Sequence, residues 1–122
     1  MPLLVRAFPL RTSVENLQQF AQELTQRSPQ TDAFYRRYGI THESWHLQET
    51  PGGAWVIGIA KIEQPAEAGA RYAASSDEFD AWFKRRVLEL SGVDLNNAPL
   101  GPPTRQVFAW SDPEVSRSNL CE

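Results

Sequence analysis

The chain has 122 residues, 41% of them apolar and 22% charged, which is enough for one packed core and too little for two. Its 12 Lys and Arg against 15 Asp and Glu give a net charge of −3 with neither sign gathered into a block, so no nucleic-acid partner is expected. No apolar run approaches the roughly 20 residues that cross a bilayer, MPLLVRAFPL is broken by Arg6 and Pro9 before it reads as a leader, and Cys121 is the single cysteine, so we expect a cytoplasmic protein with no membrane partner, no Cys-based metal site and no cofactor.

Residues 3–8 are short, apolar and closed by Pro9, and predict a strand. Thr12 and Glu15 have capping-box spacing, and Val14, Leu17, Phe20, Ala21 and Leu24 recur at helical intervals, which predicts a helix over 13–27 that ends ahead of Pro29. A second short helix starts at Thr31 or Asp32, carries Phe34, Tyr35 and Tyr38, and stops at Gly39. Two strand-compatible runs then flank Pro51-Gly52-Gly53, a hairpin signal. Its second arm, 55–62, is apolar on both faces and is expected at the centre of a sheet. The first arm puts His42, Ser44, His46 and Gln48 on one face and Trp45 and Leu47 on the other.

Pro65 opens an Ala-rich helical piece, 66–74. Ser75 with Glu78 makes another capping box, and the helix it starts carries Phe79, Trp82, Phe83, Val87 and Leu90 on one stripe and ends at Gly92. Residues 93–103 read as loop, 104–110 as a last strand, and 112–122 as a polar tail on a single domain spanning 1–111. The β-α-β-β-α-β order is the ferredoxin-like pattern of α+β folds, and predicts a four-stranded antiparallel sheet with its helices on one face. The other face would then strand an apolar patch, so a homodimer packed sheet to sheet, a dimeric α+β barrel, is the expected cover.

His42-Glu43-Ser44-Trp45-His46 matches the H-E-x-x-H string that binds zinc when it lies on a helix. On a strand, its histidines share a face but lie about 13 Å apart, four residues at roughly 3.3 Å each, far too wide for one metal. Lying beside a hairpin turn, the string reads as strand, and a zinc-dependent hydrolase ranks last among the functions considered. Without metal, a two- or four-residue hairpin loop places His42, Ser44, His46 and Gln48 on one face with Trp55, Ile57, Ile59 and Lys61. That face reads equally as a small-molecule pocket or as a plain dimer interface. Arg71 and Tyr72 lie where a loop would lid such a pocket. The ligand-binding candidates are therefore His42, His46, Gln48, Trp55, Arg71 and Tyr72; no catalytic residue is assigned.

With its element order and the run Ser75-Ser76-Asp77-Glu78-Phe79-Asp80-Ala81-Trp82-Phe83, the chain resembles the dimeric α+β barrel superfamily, and most of all a small member related to antibiotic-biosynthesis-monooxygenase-type proteins. The superfamily also holds heme-degrading monooxygenases and muconolactone isomerases. The heme-degrading members use an Asn on the first strand, a Trp on the third and a His on the second main helix; only Trp55 has a counterpart here. Likeness to the cofactor-free monooxygenases implies a cavity with Trp, Arg and Tyr, roles open to Trp55, Arg71 and Tyr72. The function expected is thus binding of a small organic molecule in a cavity on the open sheet face. The alternative is a cofactor-independent monooxygenase or isomerase acting on an aromatic or polyketide-like substrate, with Trp55 and His46 binding and polarising it.

Overall fold

The computed structural model describes residues 3–114, so most of the expected tail 112–122, Cys121 included, and the first two residues of the expected domain lie outside the described residues. The elements run β1 (Leu3–Pro9), α1 (Val14–Gln26), α2 (Ser28–Arg37), β2 (Ile40–Thr50), β3 (Gly53–Ile62), α3 (Pro65–Ala74) and α4 (Glu78–Ser91). Among the described residues they form an α+β fold with a three-stranded antiparallel sheet in the order β1-β3-β2. No described helix is long and apolar enough to cross a membrane.

This corrects the four-stranded ferredoxin-like expectation at its last strand. Residues 105–110 join no strand of the sheet, with Val107, Phe108 and Trp110 exposed by 84%, 82% and 72%. The cause lies just upstream. Gly101 passes close to the Ala7 carbonyl, and the Thr104 amide donates to the Val5 carbonyl at 3.2 Å. The chain is by then travelling toward the N-terminal end of β1, and Arg105 onward runs off the strand it was to pair with. Pro102 and Pro103 bring no N–H to that edge, so a regular ladder cannot start earlier.

Helix starts differ in detail from the capping boxes read in the sequence. Ser13, one residue after Thr12, caps α1 by accepting the Asn16 amide at 3.1 Å. Asp77 caps α4, accepting the Phe79 and Asp80 amides at 3.0 and 3.4 Å. Pro29 both ends α1 and sits in the first turn of α2, where its missing N–H costs nothing; α2 thereby starts three residues before Thr31. Gly92, at φ 76°, closes α4 in the left-handed conformation that glycine adopts without strain.

The hairpin closes over a two-residue turn, since Thr50 pairs with Gly53. The register then sets His42 opposite Lys61, Ser44 opposite Ile59, His46 opposite Ile57 and Gln48 opposite Trp55, as the side-chain parity anticipated. The opposite face carries Leu4, Arg6 and Phe8 from β1, Val56, Gly58 and Ala60 from β3, and Glu43, Trp45 and Leu47 from β2. The helices pack on this second face. Phe20, Phe34, Phe83, Val87 and Leu90 form the centre of the core, with Trp45 standing edge-on to Phe8 and within 5.7 Å of Phe20.

Two fully buried polar groups fix how the helices meet. The Asp80 carboxylate accepts from the Arg37 guanidinium at 2.5 Å and from the Tyr38 hydroxyl, tying α4 to the end of α2. Lys84 donates to the carbonyls of Ala73 and Ser75 and to Asn96 Oδ1, at 3.3, 2.9 and 2.9 Å. Each buried charge is thus met by hydrogen-bond partners, as burial demands. Together they hold α3, α4 and the loop over 93–103 at one end of the sheet.

Candidate functional site

The helix face of the sheet does not fill completely. A cavity of about 660 Å³ lies between the sheet and α2, α3, α4 and the loop over 93–103. Its floor is Gly58 on the central strand, between Arg6 on β1 and Trp45 on β2. A Cβ at Gly58 would meet nothing closer than the Trp45 indole at 3.8 Å. Glycine weakens a strand interior and commonly marks a close approach of backbone or ligand; here the side chain it lacks is space left in the cavity.

The walls are mostly aromatic: Phe34, Tyr35, Tyr38, Trp45, Tyr72 and Phe83. Their mutual ring contacts, such as Phe34 stacked on Phe83 at 4.8 Å and Tyr72 edge-on to Phe34 at 5.7 Å, hold them rigid. Polar groups break the apolar lining, Glu43, Tyr72 and Arg6 among them. Glu43 accepts one hydrogen bond, from the Trp45 indole N–H at 2.9 Å, and burial pushes its carboxyl above the ordinary value against the opposing pull of that bond. The Tyr72 hydroxyl is buried without a hydrogen-bond partner among the described residues, and burial, followed by nearby charges including Asp80 and Glu43, raises it well above the usual phenol range. Arg6 donates to the Gly101 carbonyl at 2.5 Å, and burial lowers its guanidinium from the ordinary value.

Gly101 is where the loop over 93–103 meets the sheet. Its φ is 75°, and a Cβ there would stand 2.8 Å from the Ala7 carbonyl oxygen, so only glycine allows the loop to be drawn over the cavity. Asn96, Leu100 and Pro103 complete that rim. Glu43, Trp45 and Tyr35 also line a second, shallower groove of about 560 Å³ under α1.

The candidates read from the sequence divide between the two faces. Tyr72 lines the cavity. Arg71, its neighbour on α3, points outward, donates to the Arg37 carbonyl at the end of α2 and lies 5.3 Å over the Tyr38 ring. His42, His46, Gln48 and Trp55 lie on the sheet face away from the cavity. The histidines do not diverge as their backbone spacing suggested. Both Nε2 atoms lie near the Ser44 hydroxyl, at 3.1 and 2.9 Å, so the rings lean toward each other along the exposed strand. Glu43 faces through the sheet the other way, so the H-E-x-x-H string cannot gather its three side chains around one ion. No group of three or more His, Cys, Asp or Glu among the described residues is placed to hold a metal.

Glu43 and Gly58 are the site residues that reading for motifs passed over. The signal was present: Glu43 shares the parity of Trp45 and Leu47, a carboxylate on the apolar face, and Gly58 interrupts the most apolar strand. Comparison with family models, with curated proteins and with solved structures finds no match to this chain. The site is therefore read from its own chemistry.

Proposed function

We propose that this protein binds a small, largely apolar organic molecule in the cavity between the sheet and its helices. The observation that carries the reading is an aromatic-walled cavity of about 660 Å³, floored by a glycine and lined by Tyr72, whose hydroxyl is buried without a partner among the described residues. Concave, mostly apolar sites with few polar groups are what small-molecule pockets look like. A buried hydroxyl costs stability unless something pairs with it. Filling the floor tests the reading: Gly58→Leu should keep the fold by circular dichroism and abolish binding of a naphthalene-bodied probe. Undiminished binding would refute it.

A catalytic version of the same reading is supported by Glu43. A carboxyl whose protonated form is favoured by burial in an apolar cavity is the kind of group that takes and returns a proton, the chemistry of a cofactor-independent isomerase. Kinship with antibiotic-biosynthesis-monooxygenase-type proteins stays part of this proposal, supported by the strand order β1-β3-β2 with helices on one face. Trp55 and His46 have no place in it, because they lie across the sheet.

We also propose a homodimer through the open sheet face. Its support is an uncovered surface where Leu3 and Trp55 are exposed by 54% and 40%, and where Val5, Ile57 and Ile59 are only half-buried. Light scattering at micromolar concentration should give twice the chain mass; a stable monomer would end the idea. A cytoplasmic setting belongs to the same proposal, supported by a single cysteine in 122 residues.

A further inference from the structure

The cavity's one carboxylate has no countercharge. The ion pairs among the described residues draw on Arg37 and Arg86, and none includes Glu43. Arg6, the cation in the lining, sits on the opposite outer strand, in register with Trp45 and not with Glu43, and is turned to the Gly101 carbonyl. A carboxyl in such a wall has two stable conditions: it keeps a proton, or it meets a cation. The surroundings favour a cation. The faces of Phe34, Tyr38 and Tyr72 already carry Arg37, Arg71 or Lys84, but Trp45, of the ring type that attracts a cation most strongly, is held beside Glu43 by its own hydrogen bond.

We propose that the ligand is a protonated organic amine, its apolar body lying over Gly58 among the aromatic walls and its ammonium group donating to the Glu43 carboxylate beside the Trp45 indole. This rests on the cavity being the binding site and adds the class of ligand. An ammonium group carries three donors and a compact charge, which suits an unpaired carboxylate beside an indole better than a neutral or anionic head does. Burial of Glu43 fits the same picture, since it disfavours the carboxylate and a bound cation would favour it.

Three probes with one body separate the ligand class from the site itself: 2-(1-naphthyl)ethylamine, 2-(1-naphthyl)ethanol and 3-(1-naphthyl)propanoate, each titrated calorimetrically at pH 7. The amine should bind the wild-type chain about tenfold more tightly than the alcohol, the order expected of a partly desolvated cation contact. In Glu43→Gln that advantage should vanish, with the fold unchanged by circular dichroism. Equal binding of amine and alcohol, tightest binding of the propanoate, or an amine preference that survives Glu43→Gln would overturn the amine assignment and leave the cavity reading standing. Failure of all three probes to bind would overturn both.

Discussion

The Trp45 indole N–H donates to the Glu43 carboxylate at 2.9 Å, two residues back on the same face of β2. Each side chain fixes the other at the boundary between the core and the cavity. Trp45 is packed by Phe8 and Phe20 on its core side, so the carboxylate it holds inherits the rigidity of the core. The first prediction follows from that bond.

Replacing Glu43 by Gln keeps an acceptor for the indole and removes the charge. Burial raises the folded-state carboxyl above its ordinary value of 4.5, so between those two values the folded chain binds more protons than the unfolded one. Stability from this group is then present at low pH and falls as pH rises through that window. Thermal unfolding from pH 4 to 8 should show Glu43→Gln gaining on the wild type as pH rises, then holding a constant lead once Glu43 is ionised in the folded chain. A gap independent of pH would contradict this.

Tyr72→Phe removes a buried hydroxyl that has no partner among the described residues. Urea unfolding should therefore shift by less than about 0.5 kcal/mol, or in favour of the variant. A large loss of stability would show that the hydroxyl is already paired in the folded chain.

Gly101→Ala should loosen the rim of the cavity. At φ 75° and with 2.8 Å to the Ala7 carbonyl oxygen, a methyl group there forces the backbone to move, at a cost of about 1–3 kcal/mol. Hydrogen exchange should rise at Thr104, whose amide depends on the chain path set by Gly101. Unchanged exchange would mean that the loop is held from elsewhere.

Two phenylalanines test the corrected fold. Phe20 is 1% exposed and touches Trp45, Trp82 and Phe83, so Phe20→Ala should cost about 3–5 kcal/mol. Phe108 lies in the segment that joins no strand of the sheet, and Phe108→Ala should change stability by less than about 0.5 kcal/mol. Comparable losses at both would restore a fourth strand.

Local signals carried most of the fold. The Pro51-Gly52-Gly53 turn and the parity of residues 42–48 and 55–61 are short-range features, and they yielded the hairpin register and both sheet faces. The stripe Phe79, Phe83, Val87 and Leu90 marked the buried side of α4 for the same reason, and Trp55 and Trp110 emerged as aromatics the core does not use. The fourth strand failed because strand propensity in 104–110 says nothing of where an edge is free; the prolines and Gly101 decided that by steering the chain along β1. The site was half legible. Tyr72 was named, but the cavity was assigned to the polar face because His42 and His46 stand out in a sequence, whereas a missing side chain at Gly58 does not. Glu43 was visible only as the middle of a zinc string, although its parity already placed it with Trp45, away from the histidines.

The two indoles of the hairpin give the most direct test of where a ligand binds, since Trp45 lines the cavity and Trp55 lies on the opposite sheet face. In ¹⁵N–¹H spectra recorded while a naphthalene-bodied amine is added, the Trp45 indole N–H and the backbone amide of Gly58 should shift together, with the Trp55 indole unmoved. Shifts at Trp55, His42 and His46 with Trp45 unchanged would contradict the account.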